Sequence, residues 1–92
     1  MQLIKFISKG KVQGVFYRKT ISQIFNKKSI KGYIKNLKDG TVEVVIENNS
    51  KVDINEILNI LYEGSEKSVV QSVEMFPINE DITLSKMFEV KY

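Results

Sequence analysis

The order in which the hydrophobic spacing changes along this chain limits its fold more than any other feature. Residues 2–9 are nearly continuous in apolar side chains, as in a central strand. Residues 16–28 then repeat apolar side chains at helical spacing, and residues 41–47 alternate apolar and polar side chains as a half-buried strand does. These patterns are not interchangeable, so they predict a strand, then a helix, then further strands.

The middle of the chain contains a hairpin signal followed by a second helix pattern. Asp39-Gly40 joins a predicted strand at 32–37 to the strand at 41–47, and Asp-Gly is a favoured hairpin turn. Asp53 is a suitable N-cap, with Glu56 three residues later as in a capping box. Gly64 is a typical helix stop, so a second helix is predicted between Asp53 and Gly64.

The last part of the chain predicts one more strand and a short terminal one. Residues 69–76 form the fourth strand, which Pro77 is expected to end. Phe88, Val90 and Tyr92 alternate and predict the terminal strand. The resulting β-α-β-β-α-β order predicts an α+β fold, the ferredoxin-like βαββαβ sandwich, with two helices on one face of an antiparallel sheet. With 92 residues the chain is expected to form one domain, 1–92.

The residue types that are missing exclude several kinds of chemistry. The chain has no histidine and no cysteine, which removes the usual general base, thiol nucleophile and commonest transition-metal ligand. No apolar stretch is long enough to span a membrane, and residues 1–8 lack the features of a signal peptide. The expected location is the cytoplasm, and any catalysis must use arginine, lysine, amide, carboxylate, hydroxyl and backbone groups.

The basic residues are concentrated in the first part of the chain. Residues 1–40 contain ten Lys or Arg and one acid, whereas residues 41–92 contain four Lys and ten acids. This asymmetry favours an anionic partner, although most lysines are expected to be solvated. Arg18 is the only arginine among fourteen basic residues. Its planar fork of donors can bind a phosphate through two parallel hydrogen bonds, which a lysine cannot do.

The segment 10–18 combines several features that attract an anion. Gly10 and Gly14 permit backbone angles that turn successive N–H groups inward, and the segment leads into a predicted helix N-terminus. Arg18 falls in the first turn of that helix, from where it could reach back over the loop. The residues therefore favour a site for one phosphate-sized anion; the alternative is an ordinary turn with Arg18 in solvent.

Two segments resemble the signatures of the acylphosphatase family. The sequence GKVQGVFYR at 10–18 resembles G-x-V-Q-G-V-x-[FM]-R, with Tyr17 as the one departure. The sequence GYIKNLKDGTV at 32–42 is similar to the second signature, which passes through an asparagine and ends in a hairpin. Residues 64–68, without the proline common there, and residues 88–92 also resemble family segments.

The resemblance implies hydrolysis of small acyl phosphates to a carboxylate and inorganic phosphate. It implies that Arg18 binds the phosphate and that Asn36 positions the attacking water. The implied phosphate-binding loop, which would also take inorganic phosphate or sulfate, comprises Lys11, Val12, Gln13, Gly14, Val15, Phe16, Tyr17 and Arg18. Gln13 and Tyr17 are expected to shape this loop rather than to touch substrate. The implied reaction requires no metal, and no cofactor and no membrane partner are expected. A monomer is the natural expectation for the oligomeric state.

Other interpretations of the same residues remain open. Asparagine is common near hairpins for turn reasons alone, and Lys11 could simply be solvated. The topology also occurs in RNA-recognition modules, and Lys31-Gly32-Tyr33 begins like their strand motif. The later aromatic residues of that motif are missing, so nucleic-acid binding is the weaker alternative. A non-catalytic phosphate-binding regulatory domain is the third. The sequence does not place the C-terminal carboxylate of Tyr92.

Overall fold

The computed structural model describes residues 2–49, 51–80 and 82–92. Its elements follow the predicted order. They are β1 (Leu3–Lys11), α1 (Tyr17–Lys27), β2 (Gly32–Asn36), β3 (Val42–Glu47), α2 (Ile54–Glu63), β4 (Val69–Ile78) and β5 (Glu89–Lys91). In the part of the chain that is described, no helix is both long and apolar enough to cross a membrane.

The strands form one sheet in the order β4-β1-β3-β2-β5. The first four strands pair antiparallel, as predicted for the ferredoxin-like arrangement. The terminal strand β5 differs from the purely antiparallel expectation, because it runs parallel to β2 and makes the sheet mixed. The strands β4 and β5 occupy opposite edges of the sheet, and β5 runs in the same direction as its neighbour β2.

Both helices contribute their apolar stripes to one hydrophobic core on a single face of the sheet. Ile21 and Phe25 of α1 and Ile57 and Leu61 of α2 are almost fully buried there. Burial of such a side chain contributes about 1.5–3 kcal/mol. The Phe25 ring meets the Phe88 ring edge-on, with centroids 4.9 Å apart, which holds the start of β5 against α1.

Pro77 does not end β4, and this prediction was wrong. The strand continues to Ile78, and Pro77 lies opposite Ile4 of β1. The reason is the position of β4 at the edge of the sheet, where β1 is its one strand neighbour among the described residues. A proline whose missing N–H faces the free edge removes no ladder hydrogen bond, so it is compatible with the strand.

The first strand is longer than predicted, because a β-bulge lets it continue. The register with β4 shifts between Lys9 and Gly10, and pairing then resumes to Lys11 opposite Val69. Gly10 has φ +127°, and a Cβ there would lie 2.2 Å from the carbonyl oxygen of Val69. Only glycine allows the two backbones to approach this closely. Lys11 is thus the last residue of a strand rather than part of the loop.

The start of α2 confirms the predicted N-cap but not the reciprocal capping box. The Asp53 carboxylate accepts hydrogen bonds from the backbone N–H groups of Asn55, at 3.0 Å, and Glu56, at 3.3 Å. The Glu56 carboxylate instead forms an ion pair with Lys28, at the end of α1. A tertiary partner has therefore taken the place of the local one.

Candidate active site

The loop between β1 and α1, residues 12–16, contains two residues with positive φ, on either side of Val15. Gly14 has φ +72° and Phe16, the N-cap residue of α1, has φ +61°. Glycine adopts this left-handed region without strain, but a bulky residue there costs on the order of 1–3 kcal/mol. The Phe16 side chain is 70% exposed, so its own burial does not offset that cost. Such strain is typical of functional loops.

The backbone N–H groups of this loop are free to bind a ligand. Those of residues 13–18 donate to no other described residue. The helix has no side-chain N-cap and no acid in its first turn, and its first hydrogen bond runs from the Thr20 N–H to the Phe16 carbonyl at 3.0 Å. Free N–H groups and the positive end of the helix dipole together favour an anion at this position.

Gln13 fastens one flank of the loop to the β2–β3 hairpin. Its side-chain amide nitrogen donates to the carbonyl oxygens of Leu37, at 2.8 Å, and Thr41, at 2.9 Å. The Gln13 side-chain amide is therefore occupied by hydrogen bonds within the protein. Val12 and Val15 are buried and pack into the core, which fixes the path of the loop.

Ser65 and Tyr17 fasten the loop and the start of α1 to α2 and the turn after it. The Ser65 hydroxyl donates to the carbonyl oxygen of Val15 at 2.6 Å. The buried Tyr17 hydroxyl donates to the carbonyl of Leu61 at 2.7 Å and lies 2.9 Å from the hydroxyl of Ser8. Burial raises the pKa of Tyr17 to about 12, while the hydrogen bond with Ser8 acts in the opposite direction. Tyr17, the one departure from the first signature, thus buries its ring and also forms hydrogen bonds through its hydroxyl.

Arg18 lies in the first turn of α1, and its side chain extends toward the end of β5. Its Nη1 donates to the carbonyl of Lys91 at 2.8 Å, and its guanidinium carbon lies 4.7 Å from the centre of the Tyr92 ring. The part of Tyr92 that meets Arg18 in this structure is therefore the ring. The other N–H donors of the guanidinium have no hydrogen-bond partner among the described residues, so they are available to an anion.

Asn36 ends β2 and lies at the same end of the sheet as Arg18. It shares a face of β2 with Ile34, whose side chain is in the core under the helices. Its side-chain oxygen Oδ1 is buried and accepts no hydrogen bond from any described residue. Lys35 pairs with Lys91, so Asn36 is next to the part of β5 that anchors Arg18. Oδ1 therefore keeps an acceptor capacity that no described residue satisfies, and an unsatisfied buried acceptor is costly.

Among the described residues, acidic side chains do not gather into a metal site. Within residues 2–49, 51–80 and 82–92, no group of three or more Asp or Glu side chains is placed to hold a metal ion. Lys11 is exposed at the end of β1, and no ion pair involves it among the residues described. The polar groups that converge at this end of the sheet are thus backbone N–H groups, one guanidinium and one carboxamide.

The fold and the loop define a ferredoxin-like α/β sandwich with an anion-receptive helix N-terminus, and comparison with known proteins identifies its family. The acylphosphatase family model matches residues 4–90. An acylphosphatase from Oceanobacillus iheyensis is 37% identical over 93 aligned residues, which cover 100% of both chains. The chain belongs to the acylphosphatase family, as the resemblance of its two signatures predicted, and its enzyme class is acylphosphatase, a hydrolase.

Solved structures agree with this assignment. The crystal structure of acylphosphatase from Bacillus subtilis has a TM-score of 0.86 with this chain at 25% identity, covering 100% of each chain. An acylphosphatase structure from Coxiella burnetii has a TM-score of 0.79 at 31% identity, covering 97% of this chain and 90% of that one. Both similarities confirm the ferredoxin-like fold over essentially the whole length.

Proposed function

We propose that the β1–α1 loop binds the phosphate of a small acyl phosphate and that Asn36 directs a water molecule against it. The observation that carries this proposal is the run of free backbone N–H groups over residues 13–18, at the N-terminus of α1. The family implies a small acyl phosphate as substrate. Inorganic phosphate, the product, is expected to bind the same loop, and the enzyme is expected to act as a monomer.

The loop and Arg18 supply the positive potential that a phosphate dianion requires. The N–H groups lie at the N-terminal end of α1, where the helix dipole is positive, and the Arg18 side chain extends from the first turn of the same helix. Their fixed positions stabilise the charge that develops on the phosphoryl oxygens without reorganisation during the reaction. The hydrogen bond from Arg18 to Lys91 leaves further donors of the guanidinium for the phosphate.

Asn36 is proposed to accept a hydrogen bond from the attacking water through its unpartnered Oδ1. The water oxygen forms a bond to phosphorus, and the bond between phosphorus and the acyl oxygen breaks. The electron pair leaves with the carboxylate, and a water proton passes to a phosphate oxygen. A carboxylate is a good leaving group, so this scheme needs orientation rather than a strong base or a metal ion.

Two substitutions test the division of roles between Arg18 and Asn36. The assay follows hydrolysis of benzoyl phosphate by the purified protein without added metal, together with inhibition by inorganic phosphate. Asn36→Ala is expected to lose turnover by a factor of roughly 100 or more while inhibition by phosphate persists. Arg18→Gln is expected to lose both. Normal turnover by Asn36→Ala would contradict its assigned role.

The same assay separates catalysis from the two remaining alternatives. A non-catalytic domain would bind phosphate without turnover in the unmodified protein. An RNA-recognition module would instead bind single-stranded RNA in a salt-dependent manner, without hydrolysis of acyl phosphate. The structure gives an RNA-recognition module little support. The solvent-facing side of β3 presents Glu43 rather than an aromatic ring, and Oε1 of Glu43 lies 3.5 Å from Nζ of Lys5.

A further inference from the structure

A groove of about 260 Å³ lies beside the β1–α1 loop; it shares Val15 and Phe16 with that loop but includes neither Arg18 nor Asn36. It is formed where the loop and α1 meet the turn that joins α2 to β4. Its lining consists of Val15, Phe16, Thr20, Ser65, Glu66 and Lys67. The Phe16 side chain is the large apolar group here, and it remains 70% exposed.

The two flanks of the loop face different parts of the sheet. On one flank, Gln13 is bonded to Leu37, the residue directly after Asn36. On the other flank, Val15 is bonded to Ser65, in the turn that leads to β4. The sheet order β4-β1-β3-β2-β5 places β2 and β4 on opposite sides of β1, from which the loop emerges. The groove therefore lies on the flank away from Asn36.

In-line displacement fixes the direction in which the acyl group leaves. The attacking and leaving oxygens lie on opposite sides of the phosphorus atom. If Asn36 holds the water on the β2 flank, the acyl oxygen must point toward the β4 flank, where the groove is. This step rests on the proposed function, because it uses the position assigned there to the water.

We propose that this groove binds the acyl group of the substrate and favours an aromatic or other bulky apolar acyl group. A cavity of about 150 Å³ is enough to hold benzene, so the groove has room for a ring. The exposed Phe16 ring offers an edge or a face for packing against it. Glu66 and Lys67 carry opposite charges beside each other, so the rim gives no net attraction for an anionic acyl group.

The test compares two substrates that differ only in the acyl group. We expect Phe16→Ala to lower the ratio of kcat/KM for benzoyl phosphate to kcat/KM for acetyl phosphate by about tenfold. The conservative variant Phe16→Tyr is expected to retain the ratio of the unmodified protein. Met87→Ala, which removes a side chain that is 65% exposed outside the groove, serves as the matched control and should also retain it.

The outcomes separate this inference from the proposed function. An unchanged ratio in Phe16→Ala, with both substrates still hydrolysed, would overturn the acyl site and leave the phosphate site intact. An equal fall in the ratio for Met87→Ala would overturn it as well. Absence of turnover of both substrates by the unmodified protein would instead refute the proposed function. The ratio is internal to each variant, so a partial loss of folded protein does not alter it.

Discussion

A residue with a φ angle near +60° flanks each end of α1, but the backbone N–H groups beside these two residues are bonded differently. Phe16 at the N-terminal end has φ +61° and Ser29 past the C-terminal end has φ +58°; they are the only residues other than glycine with positive φ in the described chain. The Ser29 N–H donates to the Asn26 carbonyl at 3.1 Å, and so helps to end the helix. The N–H groups that follow Phe16 have no such partner.

The basic side chains near the two ends of α1 do not by themselves distinguish these ends. The C-terminal end also has a basic surface, since it borders a groove of about 360 Å³ that is lined by Lys28, Lys31 and Lys51. Yet the N–H groups of residues 28–30 are bonded to the last turn of the helix, and Lys28 is paired with Glu56. The number of lysines is therefore a poor guide to an anion site here, because free backbone donors distinguish the N-terminal end.

The largest expected effect comes from removing the guanidinium fork while keeping its charge. Arg18→Lys is expected to lower kcat/KM for benzoyl phosphate by roughly 100-fold or more, because a lysine donates from a single point. Lys28→Ala, at the other end of α1, should leave kcat/KM unchanged. Comparable losses in the two variants, measured by steady-state kinetics, would show that overall charge rather than geometry attracts the substrate.

A smaller effect is expected from the hydrogen bond that fixes the N-terminal end to α2. Tyr17→Phe leaves the Leu61 carbonyl without its buried donor and should lower the free energy of unfolding by about 1–3 kcal/mol. Urea denaturation measures this change. A loss well under 1 kcal/mol would mean that the Tyr17 hydroxyl contributes little to the position of the loop.

The same tyrosine predicts how stability depends on alkaline pH. Burial raises the pKa of Tyr17 to about 12, above the value of about 10 for an unfolded tyrosine. Burial, with Glu43 nearby, also raises the pKa of Tyr33 to about 12.

The folded protein therefore retains these two protons to a higher pH than the unfolded chain does. The contribution of these two tyrosines to stability should be constant below about pH 10 and be lost as the pH rises through about 12. Tyr17→Phe should reduce this loss, which a pH series of urea curves detects.

The smallest effect tests the two strained residues directly. Phe16→Gly and Ser29→Gly both remove a side chain from the left-handed region, and each should raise the free energy of unfolding by about 1 kcal/mol. Only Phe16→Gly should lower the preference for benzoyl over acetyl phosphate. If both variants showed the same preference for benzoyl over acetyl phosphate, the N-terminal end of α1 would have no special role in substrate selection.

Several elements followed from local sequence because local physics decides them. The helical stripe that includes Ile21 and Phe25 is buried as its spacing indicates, and Asp53 caps α2. The glycines around the loop and the only arginine identified the candidate anion site, which the family signatures then specified. Asn36 was a different case, since its position near a hairpin gave no functional signal without the second signature.

The features that sequence patterns missed all depend on distant neighbours. Pro77 was expected to stop a strand, but that depends on whether its strand lies at an edge. Glu56 was expected to complete a capping box, but Lys28 lies within reach across the fold. The contact between Arg18 and Lys91 joins residues at opposite ends of the chain, and no local pattern indicates it.

The amino-acid sequence by itself determined which segments are helices and strands, and which residue types could meet a phosphate. Hydrophobic spacing and helix capping involve residues only a few positions apart, so they can be recognised in the sequence alone. Tertiary structure decided the direction of β5, the fastening of the loop by Gln13 and Ser65, and the groove beside Phe16. These depend on which strands become neighbours, which is settled only when the whole core is packed.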